Sequence, residues 1–367
     1  MAACVGVRPS EHHCDDDNDR YFAEGISREL VRLLGDTSTL DVASSTSSFV
    51  FRDSELEPEA IAAQLGVDTL LEGSVRREGE QLMVMANLVH AASGQTIWAD
   101  RYEVYTDELF GIQTEIARRV TAAMRATTES GEVPRALADS TVSIEAYTLY
   151  LKGRTLLDER LTRGGEAVSD ALESFRAATR IDPSFVRAHV GVASASFLTP
   201  SYDDAADREE WLERAEASAR FALDLDPESS EALGVLAAIV AWRGDPLQAA
   251  GLFERAMELG GRDPDVLHWH AMLATSMGYF EALLPSLQDA YRLDPLNQLL
   301  GCSLAGSLNF SGRPEQALIV LEGMSRFSRR DLAAAVASLY VGDWDRAREL
   351  LRGIELRMGA LPAAYAD

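Results

Sequence analysis

Ala171-Leu172-Glu173-Ser174-Phe175-Arg176-Ala177-Ala178-Thr179-Arg180-Ile181-Asp182-Pro183 is the stretch from which the fold is read. Ala171, Phe175 and Ala178 recur at helical spacing, so two small residues and one aromatic share a face, and the Asp-Pro pair stops the helix. Small residues there let a second helix approach closely while the ring fills the gap. The arrangement returns as Ala215, Ala219 and Ala222 before Asp226-Pro227, and as Ala249, Phe253 and Ala256 before Asp263-Pro264. Asp294-Pro295 closes a fourth segment. The four prolines are 44, 37 and 31 residues apart, a repeat length suited to a pair of helices. Val192-Ala193, Leu236-Ala237, Leu273-Ala274 and Leu304-Ala305 are large-small couples that mark the first helix of each pair. Gly244, Gly278, Gly312 and Gly342 mark the turn between the helices, where positive φ is needed. A generic helical bundle has no reason to repeat such residues at fixed offsets.

Together these residues resemble the tetratricopeptide repeat, over roughly Ser143 to Arg357. The spacing predicts six helix pairs, the first two with insertions around residues 159–166 and 199–208. The last, Leu332–Tyr340 followed by Asp345–Arg357, lacks a closing proline.

The N-terminal part has another rhythm. Ile26, Leu30, Leu33 and Leu34 predict a short amphipathic helix over Gly25–Leu34. A strand follows at Leu40, a Ser/Thr-rich loop lip at Ser44–Ser48, and a helix over Glu57–Leu65 with Pro58 in its first turn. Thr69–Arg76, Gln81–His90 and Gln95–Tyr102 alternate apolar and polar residues, which predicts three strands in hairpins. A helix over Asp107–Met124 closes the region. This order predicts an α+β N-terminal sandwich domain followed by an all-α tetratricopeptide-repeat superhelix.

Four blocks of this region, Tyr21–Leu30, Ser44–Phe49, Leu65–Arg77 and Gly94–Tyr102, resemble the TolB-like N-terminal domain. That family opens with a buried apolar strand before the position of Asp15–Asp19. Here Gly6-Val-Arg-Pro-Ser-Glu-His-His-Cys stands there, and the opening strand is expected to be missing. The expected organisation is an aberrant tail over residues 1–17, the TolB-like domain over 18–126, a linker over 127–142, the repeats over 143–357, and a tail over 358–367. The resemblance implies the C-terminal half of a longer regulator, whose upstream part would be a winged-helix, adenylyl cyclase or kinase domain. The chain is accordingly expected to be a truncation or to carry a misplaced start.

Composition narrows the function. The 367 residues carry 34 Lys plus Arg against 59 Asp plus Glu, a net charge of −25. Such a surface repels phosphate backbones and anionic lipid, so no direct nucleic-acid or membrane partner is expected. Three cysteines, Cys4, Cys14 and Cys302, form no disulfide framework. Neither a secretory leader nor a membrane span is legible, which predicts a cytoplasmic protein.

No phosphate-cradling, nucleophile-elbow or zinc-protease motif occurs. His12-His13-Cys14 before three aspartates has transition-metal ligand types but no second half-site. Glu72 and Asp100 could pair as carboxylates, although neighbouring Arg76, Arg77 and Arg101 favour cross-strand ion pairs. Trp98 reads as a core anchor and His90 as an edge residue, while His268 and His270, two apart on a helix, cannot chelate together. Neither catalytic residues nor cofactor or metal sites are therefore expected. The best working surface is the concave side of the repeats, lined by the first helix of each pair. Family positions there fall on Tyr147, Tyr150, Arg154, Arg187, Glu231, Trp242, His268, Cys302 and Asn309, with Arg154 and Arg187 placed to hold a peptide carboxylate. The expected function is a non-enzymatic scaffold or sensor binding a protein or peptide. The alternative is the regulatory half of a cyclase-, kinase- or DNA-binding-domain-linked signalling protein.

Overall fold

The computed structural model describes residues 3–8, 11–12, 17–35, 40–52, 54–78, 80–105, 108–125, 143–203, 205–259, 263–324 and 328–358. The chain divides into two compact units, Met1–Ile239 and Val240–Asp367.

The first unit begins with β1 (Ala3–Val7), β2 (Glu11–His12), α1 (Asp17–Gly35), β3 (Leu40–Val42), α2 (Ser45–Phe49), α3 (Pro58–Leu65), β4 (Thr69–Glu78), β5 (Gln81–His90), β6 (Gln95–Tyr105) and α4 (Leu109–Arg125). The sheet order is β3-β1-β4-β5-β6, with β2 also on β4. β1 is parallel to both neighbours, Val5 facing Val42 on one side and Thr69 on the other. The expected loss of the opening strand is thus corrected: Ala3-Cys4-Val5-Gly6-Val7 is that strand, with Val5 and Val7 fully buried. It ends at Val7, before Pro9 in the sequence. A five-residue apolar run is what a central parallel strand needs. A second correction concerns Ser44–Ser48. Ser44 accepts from the Ser47 N–H and starts the short helix α2 instead of a loop lip.

The three hairpin strands lie where alternation places them. Leu82, Val84, Ala86 and Leu88 of β5 are buried and the residues between them are half-buried or exposed, so over β5 only one face is covered. α1 and α4 pack against the sheet and each other, giving a mixed sheet with a helical layer.

Still in the first unit, α5 (Ile144–Asp158), α6 (Arg160–Arg163), α7 (Gly165–Ile181), α8 (Val186–Leu198) and α9 (Arg208–Leu225) follow, and α10 (Ser230–Trp242) crosses the boundary. The second unit continues with α11 (Pro246–Glu258), α12 (Pro264–Ser276), α13 (Leu284–Leu293), α14 (Gln298–Phe310), α15 (Pro314–Glu322), α16 (Ser328–Tyr340) and α17 (Trp344–Met358). Apart from the single-turn α6, the helices run in sequence as six pairs among the described residues. The expected linker at 127–142 lies outside the described residues, as does almost all of the C-terminal tail.

The pairing follows from the small-aromatic-small face. Phe175 of α7 is wholly buried against Gly153 of α5 and Gly191 of α8, where an added Cβ would stand 2.6 and 2.5 Å from the ring. Tyr150 and Phe185 extend the aromatic packing, their rings 5.1 Å apart edge to face. Between pairs, Asp182, Asp226 and Asp294 cap α7, α9 and α13, and their carbonyls accept from Phe185, Ser229 and Asn297 three residues on. Proline at the second position presets that turn. Asp263 differs from the sequence expectation: it opens α12, its carboxylate accepting from the Asp265 and Val266 N–H groups, with Pro264 in the first turn. The same dipeptide serves as an N-cap because proline is also tolerated at the start of a helix. Gly244, Gly278, Gly312 and Gly342 have φ between 70° and 86°, as the turn between paired helices requires.

Two substitutions test this packing. Phe175→Ala should cost about 3–5 kcal/mol in chemical denaturation of the first unit. Val5→Asp, which puts a charge into the central strand, should render residues 17–125 sensitive to limited proteolysis while the second unit stays resistant. An unchanged digestion pattern would contradict the placement of β1.

Candidate functional site

The most elaborate polar cluster is where α1 meets the first helix pairs. α1 carries Ile26, Leu30, Leu33 and Leu34, all buried. The adjoining edge of that face approaches α5 so closely that a Cβ on Gly25 would stand 1.9 Å from Leu151 Cδ1. A larger residue there would force the Leu151 side chain out of its place between the two helices.

That approach brings Glu29 of α1, only 1% exposed, against Arg187 of α8. Arg187 Nη1 donates to Glu29 Oε2 at 2.9 Å, and Arg32 Nε donates to Oε1 at 2.7 Å. The Arg187 guanidinium also lies 4.9 Å over the Tyr150 ring, and Tyr150 stacks on Tyr147 at 6.4 Å. Gln113 of α4 and Glu231 of α10 lie around the same group, beside Tyr147 and Arg187 respectively. Flanking it, Arg28 of α1 donates to Asp158 at the end of α5 (2.5 Å) and caps the Phe49 ring at 4.1 Å. Arg52 donates to buried Glu24 at 2.7 Å.

Electrostatics follow from this geometry. Burial opposes the charge on Glu29, yet Arg187 and Arg32 outweigh it and hold the carboxyl below its usual range. Burial likewise opposes the Arg187 charge, and Glu29, Tyr150 and Tyr147 together keep its pKa well above the ordinary value. The Tyr147 hydroxyl is driven well above the tyrosine range by burial and by Glu29. None of these groups is poised to exchange a proton near neutrality. Near neutrality the cluster orients and holds.

Of the nine residues expected to line a binding groove, four therefore converge: Tyr147, Tyr150, Arg187 and Glu231. Tyr147 and Tyr150 are buried beneath α1 and Arg187 is engaged by Glu29, so the position expected to be open for a peptide carboxylate is held by the chain's own carboxylate. Arg154 is half-buried on α5. In the second unit His268 Nδ1 meets the Ser303 hydroxyl at 2.6 Å, Cys302 is buried, and Asn309 donates to the Ala333 carbonyl at 3.3 Å. Trp242 stands exposed.

Other candidates have structural partners. Glu72 pairs with Arg8 at 3.2 Å and Asp100 with Arg119 at 2.6 Å. Trp98 is half-buried on β6, a partial anchor only. His90 ends β5 with Nδ1 3.1 Å from the Ser93 hydroxyl. Most of the His12–Asp17 stretch lies outside the described residues, and among those described no cluster of metal-ligating side chains occurs. No described helix is long and apolar enough to cross a membrane.

Sequence reasoning missed Glu29 and Gly25. The readable cue was a carboxylate inside an apolar stripe: Glu29 is three residues after Ile26 and four before Leu33, on the face that must be buried.

No family model matches the chain. A curated relative, "Putative adenylate cyclase 3" of Rhizobium meliloti strain 1021, is 28% identical over 241 residues, 65% of this chain. The chain spans about 40% of that relative's length. Among solved structures, human IFIT1, as a dimer with a capped oligoadenylate, is 16% identical, with a TM-score of 0.49 over 70% of this chain and 60% of that one. YrrB, a TPR protein with an unusual peptide-binding site, is 19% identical, with a TM-score of 0.37 over 51% of this chain and 93% of that one.

Removing one partner of a buried pair leaves the other charge unpaired, at a cost of about 3–5 kcal/mol. Glu29→Gln should destabilise the first unit on that scale, Arg187→Met by less because Arg32 still bonds Glu29, and the double variant should recover part of the Glu29→Gln loss. Because the folded pKa of Glu29 lies below its ordinary 4.5, its contribution is complete above that pH and is lost as pH falls through the folded value. Denaturation curves of wild type and Glu29→Gln should therefore stay a constant distance apart above about pH 5 and converge in acid.

Proposed function

We propose that the chain is a non-enzymatic receiver for a protein or peptide, and that it serves as the regulatory half of a longer, cyclase-linked signalling protein. In this reading the N-terminal region is a TolB-like head and the helix pairs are tetratricopeptide repeats. The observation that carries it is the buried Glu29–Arg187 contact, which makes head and first repeats one body. A binding event on either part then bears on the other without a hinge between them. The partial match to a longer cyclase-named relative supports the regulatory-half reading.

Contact with a partner is assigned to side chains that remain accessible. In the first unit these are Arg154 and Glu231, with Tyr147, Tyr150 and Arg187 shaping the surface from beneath. In the second unit Trp242 is joined by Tyr279, Phe310, Tyr340 and Trp344, all exposed, with His268, Cys302 and Asn309 as the packed layer below. Exposed aromatic side chains at this density are the residues from which interface hot spots are built.

A photo-crosslinking residue at position 310, placed in the full chain and expressed in a bacterial host carrying the longer protein, tests the reading. One adduct should recur and vanish when Tyr340 is changed to Glu; crosslinks no different from those at an exposed polar control position would refute it. The purified chain should show no cyclic-nucleotide formation from ATP.

A further inference from the structure

In the second unit an open cleft of about 450 Å³ lies between three helices. Glu254, Met257 and Glu258 of α11 form one wall, His270 of α12 the floor, and Leu283 and Ser286 at the start of α13 the other wall. Nothing in the proposed partner surface uses these side chains.

Glu254 and Glu258 are one helical turn apart and face the same way. Glu258 is bonded to Arg255 at 3.1 Å, whereas no described residue pairs with Glu254. The cleft therefore presents an uncompensated carboxylate beside a second one at its rim. Met257 and Leu283 supply apolar walls between that rim and the floor.

His270 defines the floor. Its ring lies flat on Phe253, with centroids 4.8 Å apart and planes 8° from parallel. Burial pulls its pKa down to about 4, so the ring is neutral at cellular pH. Nδ1 is enclosed and has no hydrogen-bond partner among the described residues. An enclosed acceptor lacking a donor is better tolerated than an enclosed N–H lacking an acceptor, so we assign the proton to Nε2. The ring then offers one N–H donor at the edge away from the enclosed nitrogen.

These groups select a ligand by chemistry. An anion is repelled by the two carboxylates, and a bare cation leaves the imidazole donor unused. A group with a cationic end, an aliphatic stem and a carbonyl one stem-length away satisfies all three features. A basic residue within a peptide has that composition. We propose that this cleft binds the basic side chain of a peptide, with its cationic head at Glu254, its methylenes between Met257 and Leu283, and its backbone carbonyl accepting from His270 Nε2. The proposal rests on the peptide-receiving reading above and gives that peptide a chemistry. The chain's net charge of −25 favours the same ligands by drawing cationic peptides toward it.

The test uses the full chain with ¹⁵N-labelled histidine; six histidines give a ring spectrum simple enough to assign with a His270→Gln variant. The probes are N-acetyl-Ala-Arg-Ala-amide, its Lys counterpart, and its citrulline counterpart, which keeps the shape of arginine without the charge. Saturable movement of the His270 signal by the Arg or the Lys peptide, about tenfold weaker with citrulline, is expected. Glu254→Gln should weaken binding of the cationic peptides by about tenfold. Glu254 is exposed, so its thermal midpoint should match the wild type. Response to Arg alone specifies a guanidinium and to Lys alone an ammonium; either supports the cleft. A His270 signal unmoved by both cationic peptides, moved equally by citrulline, or indifferent to Glu254→Gln overturns it. Crosslinking at position 310 that persists in that case leaves the receiver reading standing and removes only this cleft.

Discussion

A single helix has to satisfy two neighbours at once. Ile26, Leu30, Leu33 and Leu34 hold α1 against the sheet, while Gly25 and Glu29 hold it against α5 and α8. Neither contact can be loosened alone. Moving α1 away from α5 would part Arg187 from Glu29, whose remaining bond is to Arg32 of its own helix, and a buried charge that loses its partner is among the costliest defects a fold can hold. The placement of β1, α1 and the first helix pairs is in this sense one constraint.

The pair does not need to add net stability to matter. Two apolar residues of matching volume could fill the same space at equal or lower free energy. What a carboxylate bonded by two guanidinium groups adds is a fixed geometry: Arg187 must lie over Tyr150, and Tyr150 must stand between Tyr147 and Phe185. An apolar patch would tolerate sliding of α1 along α5. The bonded pair has one register.

The repeats were legible because their signals are local. Ala171, Phe175 and Ala178 act within two turns of one helix, and a turn glycine needs positive φ whatever lies beyond it, so residue type and spacing suffice. β1 was not legible because a buried parallel strand has no alternation to read, and Pro9 just beyond it argued against a strand that ends two residues earlier. Asp263-Pro264 misled for a related reason: both residues suit the end of one helix and the start of the next, and only the Asp263 bonds to Asp265 and Val266 decide between them. At the site, the sequence identified Tyr147, Tyr150, Arg187 and Glu231 as neighbours along the first helices. It could not show that residue 29, 158 positions earlier, would occupy the space in front of them. Partners that distant are set by tertiary packing, and the only trace they leave is a charge in the wrong stripe.

The charge is also distributed in a way the sequence halves concealed. Divided at residue 143, the net −25 splits almost evenly; divided at the structural boundary, the first unit carries 22 basic and 43 acidic side chains, and the second 12 and 16. The first unit is thus strongly acidic and has few exposed aromatic side chains, while the second is nearly balanced and exposes Trp242, Tyr279, Phe310, Tyr340 and Trp344. Apolar association is opposed by like-charge repulsion, so exposed rings favour contact only where the local charge is low. Most of the long-range, salt-sensitive field therefore belongs to the first unit, and most of the exposed aromatic surface among the described residues to the second.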